Sequence, residues 1–311
     1  MQTAPDLAHS ASPTSRNWQG KLALHFKRVQ DKTQMQVHEV QAPFKIQRHF
    51  YPEGAEICHG LILHTAGGIV GGDRLSLRLI LAAETQALLT TVAATKVYGP
   101  GPNHTAATTK TTAQTAPLDQ APRAEQDIQI QVGPQAHLEW LPQESIIFAG
   151  ANYQQRLRVE LAADASWCSW EITRLGRTAR GETFVQGQWR SHTEVWRQGV
   201  PLWLDPQWVP GNPEVWHSLH GLAGCPIVAS FCWLGPEVEP EIVQQIRELW
   251  RQQTHSRADI GVTRLIAGVL CRYRGHSIAE VRQWFIAVWR LLRSHYRGQS
   301  VQMPRAWPVL Q

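Results

Sequence analysis

Hydrophobic and polar residues alternate along most of the first two thirds of the chain. The segment 75–81 has leucine at every second position, and the segments 128–132 and 157–161 alternate in the same way. A period of two is typical of half-buried strands. The pattern predicts a mainly β region over about residues 21–235, and no helical pattern long enough for βαβ crossovers interrupts it.

Three segments of this region share one layout. Starting at Leu77, Ile128 and Leu157, each has an alternating strand, a small polar turn, a second apolar strand and a polar cluster that closes on glycine. Repeats of this kind bury their apolar faces by stacking, as in a β-helix, and stacking would bring the polar clusters to one side. Chance similarity between strand–turn–strand units gives the same pattern, so the sequence leaves both explanations open.

Two C-terminal helices follow, over about residues 240–253 and 277–296. Pro240 suits a first helical turn, and Ser277 with Glu280 forms a capping-box pattern before an apolar stripe. Four arginines of the second helix lie off that stripe, at positions 282, 290, 293 and 297. We predict that they form a solvated face, and a docking surface is the alternative.

Two polar segments lie outside this pattern, and we predict that both are mobile. Residues 1–20 lack apolar periodicity, as does a Thr-rich stretch over about residues 100–126. Such segments bury too little apolar surface to order themselves. We therefore expect a flexible N-terminal segment, a single domain over 21–311 and a surface loop within it.

Composition narrows the function classes. Of 311 residues, 43% are hydrophobic and 18% charged, which is typical of a folded protein. The net charge of +5 is spread along the chain, which favours an acidic protein partner over nucleic acid. No apolar run is long enough to span a membrane, and five widely spaced cysteines indicate reduced thiols. We expect a cytoplasmic protein with no membrane partner.

The most conspicuous motif is glycine-rich. Gly67, Gly68, Gly71 and Gly72 precede Asp73. The spacing resembles a phosphate-binding loop, but Asp73 stands where the loop needs a lysine, so the motif excludes that function. Asp73 either caps the backbone of a tight turn or serves as a functional carboxylate, and the sequence does not decide between them.

Further carboxylates lie in two later clusters. Glu144 follows Pro142, and a twelve-residue segment holds five charged residues, namely Glu171, Arg174, Arg177, Arg180 and Glu182. Mixed charges of this kind form structural ion pairs, or they line a polar passage in which oxygen donors handle a divalent ion transiently. Signatures of hydrolases and closed metal sites are absent from the sequence.

Four motifs in a fixed order resemble the UreD/UreH family of urease accessory proteins. They are AGGIVGGD (66–73), TTVAATKVYG (90–99), LEWLPQESIIFAGA (138–151) and RLGRTARGE (174–182), and the resemblance extends over about residues 21–295. Eight residues of these motifs are expected to have a structural role: Gly67, Gly68, Gly71, Gly72, Lys96, Arg174, Gly176 and Arg177. The Thr-rich stretch is longer than the family pattern, which puts only that loop in doubt.

The resemblance implies a β-helical scaffold with two helices and no catalytic activity of its own. It implies assembly with a UreF-like accessory protein and a UreG-like GTPase on the urease apoprotein, and transient passage of nickel(II) with no tightly bound cofactor. By motif position, the family's functional carboxylates fall on Asp73, Glu144, Glu171 and Glu182.

Two other functions stay open from the residues alone. Asp73, Glu144 and Glu171 would supply the acid and base groups of an enzyme acting on a small molecule. The basic pI of 9.1 would suit a nucleic-acid-binding protein, whose binding would be sensitive to salt.

Overall fold

A computed structural model describes residues 17–99, 122–253 and 257–307. These ranges hold seventeen strands and three α-helices. The strands are β1 (Gln19–Val29), β2 (Lys32–Gln41), β3 (Phe44–Ile46), β4 (Ile57–His64), β5 (Arg74–Leu81), β6 (Gln86–Thr91), β7 (Thr95–Val97), β8 (Ala124–Val132), β9 (His137–Trp140), β10 (Ser145–Ile147), β11 (Asn152–Leu161), β12 (Ser166–Leu175), β13 (Gln188–Arg197), β14 (Val200–Pro210), β15 (Ile227–Leu234), β16 (Asp259–Leu265) and β17 (Gly268–Gly275). The helices are α1 (Pro213–His217), α2 (Pro240–Gln252) and α3 (Ile278–Arg297).

The strands of the described residues form two facing sheets. Sheet A has the order β14-β13-β11-β8-β5-β1-β2, and sheet B has the order β16-β17-β15-β12-β9-β6-β4-β3. The neighbours β1, β5, β8, β11 and β13 run parallel in sheet A, as do β4, β6, β9 and β12 in sheet B. Because the chain from β4 to β13 passes back and forth between the sheets and its strands within each sheet stack in parallel, it winds as a β-helix, as predicted.

The stacked repeats are confirmed in register. Leu77 pairs with Ile128, and Ile128 pairs with Leu157. The short strands β7 and β10 and the end of β12 also pair side by side, which stacks Val97, Ile147 and Leu175. The polar clusters that follow these strands therefore share one corner of the β-helix.

Two apolar cores lie on the two faces of sheet B. The first fills much of the space between the sheets, and the second lies between sheet B and the helices α2 and α3. Trp284, Phe285 and Trp289 of α3 are fully buried in the second core. Burial of such large aromatic side chains is the main force that fixes the helices to the sheet.

The two C-terminal helices match their predicted spans to within one residue at each end. Pro240 lies in the first turn of α2, and the Ser277 hydroxyl accepts a hydrogen bond from the Glu280 amide at 3.2 Å. The Glu280 carboxylate accepts from the Tyr273 hydroxyl at 2.8 Å. The capping box is therefore half formed, and Glu280 ties α3 to strand β17.

The β region extends further than predicted. Strands β16 and β17 form a hairpin between α2 and α3, because the segment 259–275 alternates in a way that the sequence analysis did not use. The short helix α1 was not predicted either. Of the expected loop, 100–121 lies outside the described residues and 124–126 belongs to β8. Of the expected N-terminal segment, 1–16 lies outside them and Gln19 begins β1.

The prediction of a solvated arginine face on α3 is wrong for two of its four members. Arg282 and Arg293 are only 6% and 2% exposed. Their acidic partners, Glu144 for Arg282 and Glu53 and Glu139 for Arg293, lie far away in the chain, so the helical periodicity carried no sign of them. Arg290 is exposed as predicted.

Two further properties agree with the sequence analysis. Within the described ranges, no helix combines the length and hydropathy that crossing a bilayer requires. The five cysteines are unpaired and buried, and Cys232 lies on strand β15.

Candidate functional site in the space between the sheets

Asp73 caps the backbone of the glycine-rich loop. Its side chain is buried, and its two carboxylate oxygens accept from the amides of Trp18 and Val70 at 2.7 and 2.9 Å. Two amide donors satisfy a carboxylate and hold the turn closed. In this geometry Asp73 shapes the loop between β4 and β5.

The loop itself completes one turn of the β-helix. Ile69 is fully buried and forms a parallel bridge with Val97, which places it in the column of Val97 and Ile147. A Cβ on Gly68 would lie 2.2 Å from the Tyr98 ring, and Gly72 has φ of +96°. Only glycine fits these two positions, so the glycines let the chain pass close to its neighbour.

Glu144 and Glu182 are held by arginines. Glu144 forms a short ion pair with Arg282 of α3. Glu182 accepts from the side chain of Arg177 at 2.6 Å and from the Ala149 amide at 2.9 Å. These contacts join the polar corner of the β-helix to its neighbours.

The other motif residues also lie at that corner. Lys96 is exposed on β7, and Arg174 donates to the Thr178 hydroxyl. Gly176 has φ of +81°, and the Arg177 guanidinium lies 4.5 Å from the centre of the Phe148 ring. Of the five charged residues clustered in this segment, Arg177 and Glu182 form an ion pair with each other.

A cavity of about 190 Å³ lies between the two sheets. On the sheet A side, its walls come in order from β5, β8, β11, β13 and β14. Four inter-strand spacings amount to roughly 19 Å, so the cavity runs along the axis of the β-helix. Gly67, Ala93 and Lys96 line it and are exposed, which places its mouth beside the glycine-rich loop. The volume has room for several water molecules.

Polar side chains form a ladder on the inner face of sheet A, and two of them, Gln126 and Gln155, line the cavity. Gln126 pairs with Gln155, Gln155 with Ser191, and Ser191 with Gln207. Gln126 and Gln155 share the inward side of their strands with Ile128 and Leu157, Ser191 shares that of Val195, and Gln207 shares that of Asp205. The Tyr153 hydroxyl donates to Gln126 at 2.8 Å. Oxygen atoms therefore replace apolar side chains along one line of the interior.

Glu171 faces the ladder from sheet B. It lines the cavity, and the Ser191 hydroxyl donates to it at 2.8 Å across the space between the sheets. Burial raises the pKa of Glu171 to about 7, while the Ser191 hydrogen bond opposes the shift and the nearby Asp205 adds to it. This carboxyl group exchanges its proton near neutral pH.

Asp205 and Arg272 form an ion pair at the β14 end of the cavity. The Arg272 guanidinium donates to Asp205 at 2.5 Å and to the Ser230 hydroxyl at 2.7 Å. Gln207 donates to the other Asp205 oxygen at 2.8 Å. The sequence analysis did not single out Asp205, Ser230 or Arg272; polar residues at inward positions of neighbouring strands were the signal available for them.

A second buried polar cluster lies on the opposite face of sheet B. Arg293 contacts Glu53 at 2.8 Å and Glu139 at 3.5 Å, and His59 lies 2.6 Å from Glu53. Burial opposes the ionisation of Glu139, but its contacts with His137, Arg293 and Trp289 outweigh burial and lower its pKa. This cluster fastens α3 to the β-helix.

The four predicted carboxylates therefore do not form one site. Glu171 lines the cavity, whereas backbone amides or arginines hold Asp73, Glu144 and Glu182. Within the described part of the chain, no group of three or more His, Cys, Asp or Glu side chains could hold a metal ion. The donor set of the cavity is suited to weak oxygen contacts, not to a closed nitrogen or sulfur site.

Comparison with known proteins identifies the family. The UreD urease accessory protein family matches residues 19–308. The chain belongs to the UreD family. It is 49% identical to urease accessory protein UreD of Acaryochloris marina over 293 residues, which is 94% of this chain and 96% of that protein. It is 50% identical to UreD of Nostoc punctiforme over 298 residues, which is 96% of this chain and 99% of that protein.

Membership of the UreD family places the β-helix and its cavity in an accessory protein of urease. A third relative, UreD of Trichormus variabilis, is 51% identical over 301 residues, or 97% of this chain and 99% of the relative. The similarity therefore extends over both sheets and both long helices. The resemblance drawn from the four sequence motifs is confirmed.

Proposed function

We propose that this UreD-family chain is a scaffold and metallochaperone subunit without catalytic activity, and that nickel(II) bound for urease crosses it through the cavity between the sheets. The supporting observation is the line of interior oxygens that faces Glu171. Oxygen donors exchange nickel readily, whereas tight sulfur or nitrogen ligands would trap it. No tightly bound cofactor is needed for this role.

Glu171 is the residue that acts on the ion in this proposal. Its pKa of about 7 lets it release a proton when a cation arrives and regain one when the cation leaves. Asp73, Glu144 and Glu182 act indirectly, because their contacts hold the loop and the corner that shape the mouth.

The partners that we propose are a UreF-like accessory protein, a UreG-like GTPase and the urease apoprotein, all in the cytoplasm. The net charge of +5 suits an acidic protein surface. Buried and unpaired cysteines suit a reducing compartment. Co-purification of the chain with these three proteins tests the assembly.

The test of passage is the Glu171→Gln variant. It keeps the size of the side chain and removes its ability to ionise. We expect an intact complex with its partners but a low nickel content per urease active site, measured at matched amounts of complex. Glu160→Gln, on the exposed side of β11, is the matched control and should load nickel normally. Normal loading with Glu171→Gln would refute the passage.

A small-molecule enzyme is not favoured by the geometry. Asp73 and Glu144 are engaged by amides and by Arg282, so they do not pair with Glu171 as acid and base. Turnover of a substrate by the purified chain alone would contradict this interpretation.

A further inference from the structure

The two sheets end at different places, which leaves one end of the space between them to be closed. Sheet A ends at β14, whereas sheet B continues past β15 to β17 and β16. Within the described ranges, sheet A has no strand beyond β14 to lie opposite the inner face of sheet B there. Without a cover, the cavity would open to solvent there.

Arg272 reaches across this gap. It lies on β17, beside Ser230 of β15, which in turn pairs with Glu171 of β12. From this position it donates to Asp205 on the edge strand β14 at 2.5 Å, and its guanidinium lies 5.8 Å from the centre of the Trp203 ring. The side chain is 36% exposed, so it lies at the boundary between interior and solvent.

We propose that the Arg272–Asp205 ion pair is the closed far end of the interior passage, and that Arg272 is the group that a cation must displace to leave or enter there. This inference rests on the proposed passage of nickel(II). The pair joins the two sheets through side chains alone, so it opens without breaking a strand pairing.

In this proposal Arg272 closes the end of the cavity, and its charge also determines which ions can take its place. With Arg272 in place, a guanidinium offsets the charge of Asp205 and lies within range of Glu171. If the guanidinium turns outward, two carboxyl groups face the end of the cavity with no cation between them. A divalent cation would then replace Arg272 as their counter-ion.

Cys232 provides a probe of this end that needs neither nickel nor urease. It lines the cavity, whereas Cys168 and Cys271 lie in the core on the other face of sheet B. The experiment uses the full-length chain and measures the rate at which small cationic and anionic methanethiosulfonate reagents modify each cysteine, by peptide mass spectrometry. Cys168 and Cys271 are the internal controls.

We expect the Arg272→Gln variant to raise the rate at Cys232 with the cationic reagent by about tenfold, equivalent to about 1.4 kcal/mol. The rate with the anionic reagent should rise less, because the carboxyl groups of Glu171 and Asp205 remain and repel it. Burial raises the pKa of the Cys232 thiol well above its usual value, and Arg272 partly offsets this, so the loss of Arg272 alone would slow the reaction. An acceleration therefore reports access to the cavity.

Three further variants distinguish the effect of the charge of Arg272 from the effect of its hydrogen-bond geometry. Asp205→Asn should open the end in the same direction. Arg272→Lys keeps the charge but cannot make both hydrogen bonds, so it should admit both reagents with no preference for the cation. Arg274→Gln removes another ion pair of β17, with Asp259, away from the cavity, and should match the wild type.

The proposal is overturned if Cys232 in Arg272→Gln reacts at the wild-type rate, or if Cys168 and Cys271 accelerate equally, which would show a general loss of structure. The outcome is distinct from the test of passage. Normal nickel loading with Glu171→Gln refutes the passage and leaves the thiol rates unaffected.

Discussion

The two faces of sheet B bury charge in opposite ways. On the face toward the helices, Arg293 contacts both Glu53 and Glu139, and Arg282 contacts Glu144. On the face toward sheet A, Glu171 receives hydroxyl hydrogen bonds and, among the residues that the structure describes, has no ion pair within 4 Å. Sheet B therefore separates a region where these carboxylates contact an arginine, shared or not, from a region where Glu171 does not.

Under the proposed function, the difference separates carboxylates that serve stability from one that is available to an ion. A buried carboxylate paired with arginine stays ionised and fixes its neighbours. A half-buried carboxyl without such a partner, such as Glu171, changes protonation more easily, and the pKa values of Glu139 and Glu171 are shifted in opposite directions. Function is therefore expected on the inner face, and rigidity on the outer face.

The largest expected effect is the loss of Arg293. In Arg293→Met, Glu53 and Glu139 stay buried without their cation, and such a change costs about 3–5 kcal/mol. Urea denaturation of the full chain measures it. Arg290→Met, on the exposed side of the same helix, is the control and should change stability by less than about 0.5 kcal/mol. Similar losses in the two variants would remove the distinction between the faces.

The next effect is a difference in pH dependence. The folded pKa of Glu171 is raised from 4.5 to about 7, so the folded state holds a proton that the unfolded state has released. The contribution of Glu171 to stability is therefore greatest below pH 4.5 and is lost as the pH rises through 7. Between pH 5 and 8, the free energy of unfolding of the wild type should fall by about 2–3 kcal/mol relative to that of Glu171→Gln.

Glu139 should show the opposite trend. Its folded pKa is lowered, so its contribution is present above its unfolded pKa of about 4.5 and is lost as the pH falls below that value. Between pH 5 and 8, the free energy of unfolding of the wild type should not fall relative to that of Glu139→Gln. Parallel pH curves for the two variants would contradict the assignment of roles.

A smaller effect is expected for the ion pair of Glu144. A double-mutant cycle with Glu144→Gln and Arg282→Met should give a coupling free energy of about 1–2 kcal/mol, because the pair is partly buried. The soluble yield of complex should follow stability in these variants, while nickel per assembled complex stays normal. A coupling free energy near zero, together with low nickel loading, would indicate that Glu144 acts on the nickel ion directly.

Much of the fold was predictable because its information is local. The register of Leu77, Ile128 and Leu157 follows from alternation, and both long helices follow from their caps and stripes. The buried arginines were not predictable, since Arg282 and its partner Glu144 lie 138 residues apart. Of the polar residues around the cavity, Glu171 was singled out from the sequence and stays a predicted site residue, while Asp205 and Arg272 were not singled out, because their partners also lie far away in the chain.

The smallest expected effect on stability comes from the ladder itself. Gln155→Leu replaces one interior oxygen with an apolar side chain of similar size, in line with the buried Leu157 of the same strand. Tyr153 keeps its hydrogen bond to Gln126, so no buried donor is left without a partner, and stability should change by less than about 1 kcal/mol. If the inner face carries the ion, nickel per urease active site should nevertheless fall, because the line of oxygen donors is broken at its middle. Gln129→Leu, on the exposed side of the neighbouring strand β8, is the matched control. Equal nickel loading in the two variants would mean that the ladder is only a structural feature of the β-helix.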